Sequence, residues 1–401
     1  MQPSIFAIPS LFRKANFQIP CGHTQSQSIS LAWFPFGVVS FRPMRSRWED
    51  GQFDRSSHRS RIVFLQHTSQ RASCLIAAPM SHLTRFGHYL VYVIVRWLII
   101  LAQAVPLQVG NALARALAWL FTRVLRVRYQ VADDNLRHAF PSLSPEARRH
   151  LIERMWHHLF LMVMEVAHTP RVLHEENWRR FVDLKNVREL VKRLLEDRPV
   201  ILVTGHFGNF EFGGYMLGLL GFPTHTVART LDNPFLDRFV NAFRSARGQH
   251  IIPRVGGAEQ IEAVLQAGGT MAFLADQSAG RKGCFVQFFG RPASTYKAIG
   301  LLSLQYDAPI AVVYVKRLGQ PMRFEMGVKA ILDPREVTVR DPVTFITQWY
   351  TTQLEEIIRE SPEQYWWIHR RWKEQPRVKR CATPGDVTEN EVDGELTRNA
   401  A

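Results

Sequence analysis

Cysteine is scarce, with four in 401 residues, and Cys21, Cys74, Cys284 and Cys381 stand far apart. No CxxC pair or Cys/His cluster occurs, which argues against a zinc knuckle and against a disulfide framework and fits a reducing compartment. Internal repeats are lacking, and so is any recognised nucleic-acid-binding module. Acid is in short supply: 35 Asp and Glu face 50 Lys and Arg, for a formal charge of +15. Residues 1–79 hold nine of the basic and three of the acidic residues, so that +9 belongs to the remainder. A basic balance asks for an anionic partner, whether nucleic acid, an anionic membrane surface or an acidic carrier protein. The start of the chain shows no basic stretch followed by an apolar run, so it does not read as a secretory signal. Residues 1–79 are rich in Ser, Arg and Gln and have no period. They read as a poorly ordered extension, or as lying upstream of a true start at Met80, with a mitochondrial-type leader as the lesser alternative.

One long apolar run is present. "HYLVYVIVRWLIILAQAVPL" (His88 to Leu107) is nearly long enough to span a bilayer core, yet Arg96 sits near its middle, where charge is costly. Either it is one anchor helix with Arg96 displaced toward an interface, or it lies in the membrane surface, with a buried soluble helix as the lesser alternative. "NALARALAWLFTRVLRVR" (Asn111 to Arg128) follows at helical spacing with Arg at intervals, a basic amphipathic helix suited to a membrane surface. Residues 80–128 are thus expected to attach the protein to a membrane. Residues 129–384 are expected to form the main domain, and 385–401 a disordered acidic tail.

From Tyr129 onward, helical patterns alternate with short apolar strands. "SPEARRHLIERMWHHLFLMVMEVAH" (Ser144 to His168) opens on a Ser-Pro helix start. Strands are expected at Pro199–Thr204, in "PTHTVAR", "HIIPR" and "APIAVVYVKR", and at Thr270–Asp276, with helices between them. That alternation predicts an α/β layered fold with a mostly parallel sheet flanked by helices, preceded by the anchoring helix.

"VILVTGHFGNFE" then delivers His206 to the C-terminal rim of a buried strand, where α/β proteins bind ligands. Gly205 and Gly208 allow tight turning. Glu211 falls in the first turn of the next helix, where its charge suits the dipole. From there it is expected to fold back on His206 and fix the tautomer of a general base. The alternative is a His and a Glu that merely cap a helix, since the HxxxxE spacing is short.

The wider text is more specific. "VTGHFGNFE", "NPFLDRFVNAFRSARG", "LADQSAGRKGCFVQFFGRPAST" and "PEQYWWIHRRWK", in this order, resemble the bacterial lipid A biosynthesis lauroyl/myristoyl acyltransferases, within the broader HxxxxD/E glycerolipid acyltransferase group. The resemblance runs from about Met80 to Pro376. It implies transfer of a fatty acyl chain from acyl carrier protein, or acyl-CoA, to a hydroxyl of a membrane glycolipid, at the cytoplasmic side of the inner membrane. It implies no cofactor, no metal and no nucleic acid. His206 would take the acceptor proton and Glu211 would orient His206. Asn209 would donate to the carbonyl oxygen or anchor the turn. Arg229, Arg244 and Arg247 are expected to meet phosphate on an anionic acceptor, with a solvated helix face as the alternative for Arg244. Asp276 and Gln277 would reach the same crevice, Asp276 pairing with an arginine or steering sugar hydroxyls. Thr295 would line an acyl tunnel or donate to phosphate. The Trp and Arg residues near the end would form a membrane-interface belt or pack in the core.

Overall fold

The computed structural model describes residues 81–374. The readings of 1–79, of Met80 as the start and of the tail at 385–401 lie outside those residues. Ten helices and nine strands are used below. The helices are α1 (His82–Ala104), α2 (Leu107–Trp119), α3 (Tyr129–Ala139), α4 (Pro145–Val172), α5 (Arg188–Leu195), α6 (Phe210–Leu219), α7 (Pro234–Ser245), α8 (Ala258–Gln266), α9 (Ala298–Gln305) and α10 (Pro342–Glu360). The strands are β1 (Val182–Lys185), β2 (Val200–Thr204), β3 (Thr224–Ala228), β4 (Gln249–Pro253), β5 (Thr270–Leu274), β6 (Cys284–Phe288), β7 (Arg291–Thr295), β8 (Ile310–Arg317) and β9 (Phe324–Leu332).

Local chemistry sets the ends of the helices. Ser81 caps α1 by accepting from the Thr84 N–H, and α1 stops at Val105, which is extended ahead of Pro106. Ser144 caps α4 by accepting from the Ala147 N–H, with Pro145 in the first turn. None of the residues of α1 is buried, and among the described residues it is the one helix long and apolar enough to cross a membrane. The next helix departs from expectation. Instead of lying free, α2 buries its small-residue face of Gly110, Ala114 and Ala118. Gly110 lies so close to Met164 of α4 that an added Cβ would come 2.6 Å from its Cε.

Seven strands form one sheet in the order β1-β9-β8-β2-β5-β3-β4. Every pair in it is parallel except β8–β9. The central β2 is buried nearly throughout, because helices cover both of its faces. Ile201 and Val203 pack into the larger core with Met271, Ile299 of α9 and Tyr350 and Leu354 of α10. Val200 and Leu202 face the other way, onto Leu190 of α5 and Leu217 of α6. The result is an α/β/α layered fold with a mostly parallel sheet.

Two features go beyond the expected alternation. β6 and β7 form a separate antiparallel hairpin, turned at Phe289 and Gly290, both at positive φ. β9 folds back antiparallel on β8 and so places β1, parallel to β9, at the far edge.

Candidate active site

The parallel register of the sheet builds the site. Thr204 at the end of β2 stands opposite Leu274 at the end of β5. Two residues beyond each lie His206 and Asp276, brought side by side at the strand ends. The Asp276 carboxylate takes two hydrogen bonds from His206: its Oδ1 lies 2.8 Å from the ring Nδ1, and its Oδ2 accepts from the backbone N–H at 2.9 Å. A carboxylate can only accept, so Nδ1 carries the proton and Nε2 is left as the basic nitrogen. The Gln277 amide nitrogen lies 3.3 Å from Nε2, on the open side of the ring. Trp366 and Phe210 flank the imidazole at ring-centroid distances of 4.9 and 5.3 Å.

Burial opposes charge on His206. The Asp276 carboxylate, by its charge and its hydrogen bond, and Glu211, by its charge, outweigh burial and hold the imidazole above its ordinary pKa. Burial likewise pushes Asp276 up, but the charge and hydrogen bonds of His206 prevail and its carboxyl lies below the usual range. Asp276 is therefore the ionised partner of a histidine that gains a proton readily.

Glu211 does not supply the bond expected of it. It lies in the first turn of α6, but its carboxylate is engaged in a two-point pair with Arg244 of α7, Nε to Oε2 at 3.1 Å and Nη2 to Oε1. Asp276, expected to pair with an arginine or steer hydroxyls, holds Nδ1 instead. The reason is geometric. Glu211 sits on a helix that leads away from the strand end, whereas Asp276 arrives on the neighbouring parallel strand at the same height.

A cleft of about 600 Å³ opens at this rim, with His206, Glu211, Arg229, Arg244, Gln277 and Trp366 among its lining. Its apolar part runs to Leu202, Leu217, Val313 and Met326. Arg229 stands at the exposed margin, paired with Asp232 at 2.9 Å. Arg254, which the sequence reading passed over, lines the same cleft.

Three expected site residues face elsewhere. Asn209 is wholly buried and caps α6, accepting from the Phe212 N–H at 3.0 Å while its amide donates to Glu165. It anchors the turn, as one of its two readings had it. Thr295 is wholly buried on β7, where its hydroxyl accepts from Arg371 at 2.6 Å and donates to the Ala293 carbonyl. It is not among the residues lining the cleft. Arg247 is not among them either, and its guanidinium lies over the Tyr215 ring and 3.9 Å from Glu175. Trp367 packs in the core at 1% exposure, and Trp366 against His206. The core reading therefore holds for Trp367, while Trp366, partly buried, lines the cleft.

An imidazole held by a buried carboxylate at the mouth of a largely apolar cleft is an arrangement able to accept a proton beside an apolar ligand. The chain belongs to the family described as bacterial lipid A biosynthesis acyltransferase, which matches residues 77–374, and it is an acyltransferase. It is similar to a lipid A biosynthesis palmitoleoyltransferase of Escherichia coli (strain K12), 26% identical over 255 residues, covering 63% of this chain and 81% of that protein. To a lipid A biosynthesis lauroyltransferase of the same strain it is 24% identical over 289 residues, covering 70% and 90%. Among solved structures, the 1-acyl-sn-glycerophosphate (LPA) acyltransferase PlsC from Thermotoga maritima covers 65% of this chain and 99% of its own, at 13% identity and a TM-score of 0.31. That overlap is too loose to bear on the site.

Proposed function

We propose that the protein moves a fatty acyl chain from acyl carrier protein, with acyl-CoA as the alternative donor, to a hydroxyl of a lipid A precursor, and that His206 is the general base. The observation that carries this reading is the 2.8 Å contact of His206 Nδ1 with Asp276, which leaves Nε2 basic and facing the cleft. The acceptor hydroxyl gives its proton to Nε2 as its oxygen attacks the thioester carbonyl carbon. The carbon–sulfur bond then breaks, and the imidazolium returns the proton to the leaving thiolate. Asp276 stabilises the imidazolium in between, and the upward-shifted pKa of His206 suits that task.

Glu211 serves through Arg244: it holds the guanidinium at the cleft and adds negative charge near His206. Arg244, with Arg229 and Arg254 in the same lining, offers forked donors to phosphate on an anionic acceptor. The acyl chain would occupy the apolar part of the cleft. The names of the relatives support the acceptor class, and the basic balance supports an acidic carrier protein as donor. The exposed apolar α1 supports attachment to a membrane, and a carrier-protein donor would set the catalytic domain on the cytoplasmic side of the inner membrane. Another membrane glycolipid, such as a phosphatidylinositol mannoside, would suit the same chemistry, and a non-catalytic membrane-surface binder would have no use for the base.

The test is acyl transfer from labelled acyl carrier protein thioesters to a tetra-acylated lipid A precursor, with parent, His206→Ala and Glu211→Ala proteins at matched expression. Transfer by the parent that collapses in His206→Ala is the expected result. Undiminished transfer by His206→Ala would sink the mechanism, and a parent inert toward this acceptor but active on another glycolipid would change the acceptor alone.

A further inference from the structure

Behind the turn that carries His206 lies a polar cluster sealed from solvent. Glu165 of α4 is 0% exposed, His158 of the same helix 2% and Arg317 at the end of β8 8%. The Arg317 guanidinium grips Glu165 at two points, Nε to Oε1 at 2.7 Å and Nη2 to Oε2 at 2.6 Å. The backbone N–H of Met322 and the side-chain amide of Asn209 donate to the same carboxylate at 3.0 Å each. Glu165 thus accepts four hydrogen bonds, which fills its capacity. His158 is oriented just as fully. Arg317 can only donate, so its Nη1, 2.5 Å from Nδ1, makes Nδ1 an acceptor. Nε2 then carries the proton, which points at the Gly208 carbonyl 3.2 Å away. A charged pair taken out of water is expensive, and apolar side chains of like volume would fill such a space at least as well. Stability alone does not account for it.

What the cluster touches is the His206 turn. Asn209 hangs from Glu165 and the Gly208 carbonyl from His158. Other groups fasten the remaining backbone: the Gly208 N–H donates to the Gln364 carbonyl at 2.9 Å, the Asn209 N–H to the Val315 carbonyl at 2.9 Å, and the Trp366 N–H to the His206 carbonyl at 3.1 Å. Gln364 is itself tied to Arg317 by a reciprocal pair, its Oε1 accepting from the Arg317 N–H at 2.8 Å and its amide donating to the Arg317 carbonyl at 3.0 Å. The Glu165–Arg317 pair therefore links α4, β8 and the His206 turn, and the Arg317 backbone ties in the segment that brings Trp366 over the imidazole.

We propose that Glu165, Arg317 and His158 are positioning residues for acyl transfer: they act through Asn209 and Gly208 to hold the His206 imidazole in register with Asp276. The inference rests on His206 being the base. The contact it protects is short, and a shift of about 1 Å in a reacting group can cost roughly 100-fold in rate. The charged and titratable groups facing His206 are Asp276 beyond β5, Glu211 with its Arg244, and His369 on the C-terminal segment, while Tyr365 and Arg371 act on Asp276. Loosening the turn weakens the Asp276 contact and leaves burial to act on the imidazole.

Removing Glu165 or Arg317 would strand a buried charge and threaten the fold, so the test uses milder changes. Asn209→Ser keeps a good helix cap while cutting the link to Glu165. His158→Ala cuts the link to Gly208, and His158→Gln restores a donor that can reach it. Parent and variants are compared for kcat, KM and the acid limb of the pH–rate profile, per mole of folded enzyme, beside His206→Ala. The expected result is a loss in kcat of roughly 10- to 100-fold in Asn209→Ser and His158→Ala. KM should stay within about twofold, the acid limb should move to lower pH, and His158→Gln should recover most of the loss. A global loss of folded protein would scale the whole profile and leave the acid limb in place. An unmoved acid limb, or full kcat in Asn209→Ser, overturns the inference while the inactivity of His206→Ala leaves the base reading standing. Activity in His206→Ala overturns both.

Discussion

At the scale of single residues, the proposed chemistry turns on which carboxylate meets the imidazole. Asp276→Asn preserves shape but cannot hold Nδ1–H in the same way, and we expect kcat to fall roughly 100- to 10,000-fold with the fold intact by circular dichroism. As the proposed base, His206 works only when neutral, so kcat/KM should rise with pH through its upward-shifted pKa. In the Asp276→Asn protein that acid limb should move below the ordinary imidazole value, because burial then dominates, and a pH–rate series on both proteins decides it. Stability follows the same pair. The contribution through His206, whose pKa is raised on folding, is full below the unfolded imidazole value and is lost as pH rises through the folded one. The contribution through Asp276, whose pKa is lowered, is present above the unfolded carboxyl value and is lost as pH falls through the folded one. Glu211→Gln should act differently, since it loosens Arg244: a rise in KM for the anionic acceptor larger than the fall in kcat is expected, read from acceptor titrations. His206 and Glu211 were both legible from "GHFGNFE". That they do not bond to each other was not, because the competitor for Nδ1 lies 70 positions away in sequence.

At the scale of elements, the His206 turn tolerates little change. Gly208 sits at φ +59°, and a Cβ there would fall 1.8 Å from the Val315 carbonyl oxygen. Gly208→Ala should therefore cost about 2–3 kcal/mol of stability, measurable by denaturant unfolding, and should disable the site as well. The exposed apolar α1 makes a separate demand. Trp97 and Leu98 are 61% and 59% exposed, so a Trp97→Asp/Leu98→Asp protein should leave the membrane fraction in flotation while keeping its turnover on detergent-dispersed substrate. Most central elements could be read locally. The α4 cap at Ser144-Pro145, the apolar run of β2 and the glycine-closed α8 all carry their signals within a few residues. The β6–β7 hairpin and β9 could not be read so, since their short mixed sequences become strands through the partners they meet. The packing of α2 on α4 was hidden for a like reason: its Gly and Ala face resembles a weak amphipathic stripe until Met164 is set against it.

At the scale of the molecule, the sequence by itself determined the class of the protein. Its strand–helix alternation demanded layers about a parallel sheet, its apolar run called for a membrane, and its ordered motifs pointed to acyl transfer with His206 at a strand end. The first two are properties of local composition and spacing that survive without knowledge of neighbours, whereas acyl transfer was implied by the resemblance of the motifs to a known family. Tertiary structure decided who touches whom. Parallel pairing of β2 with β5 put Asp276 beside His206. The reach of Arg244 from α7 to the first turn of α6 gave Glu211 its partner. The approach of α4 to the end of β8 enclosed Glu165 with Arg317 and hung Asn209 from them. Arg371, from the C-terminal segment, took up Thr295 on β7, away from the cleft. Each of these contacts joins residues at least 33 positions apart, where no periodicity or spacing in the chain carries information. Strand register and helix packing alone bring such residues within hydrogen-bonding distance.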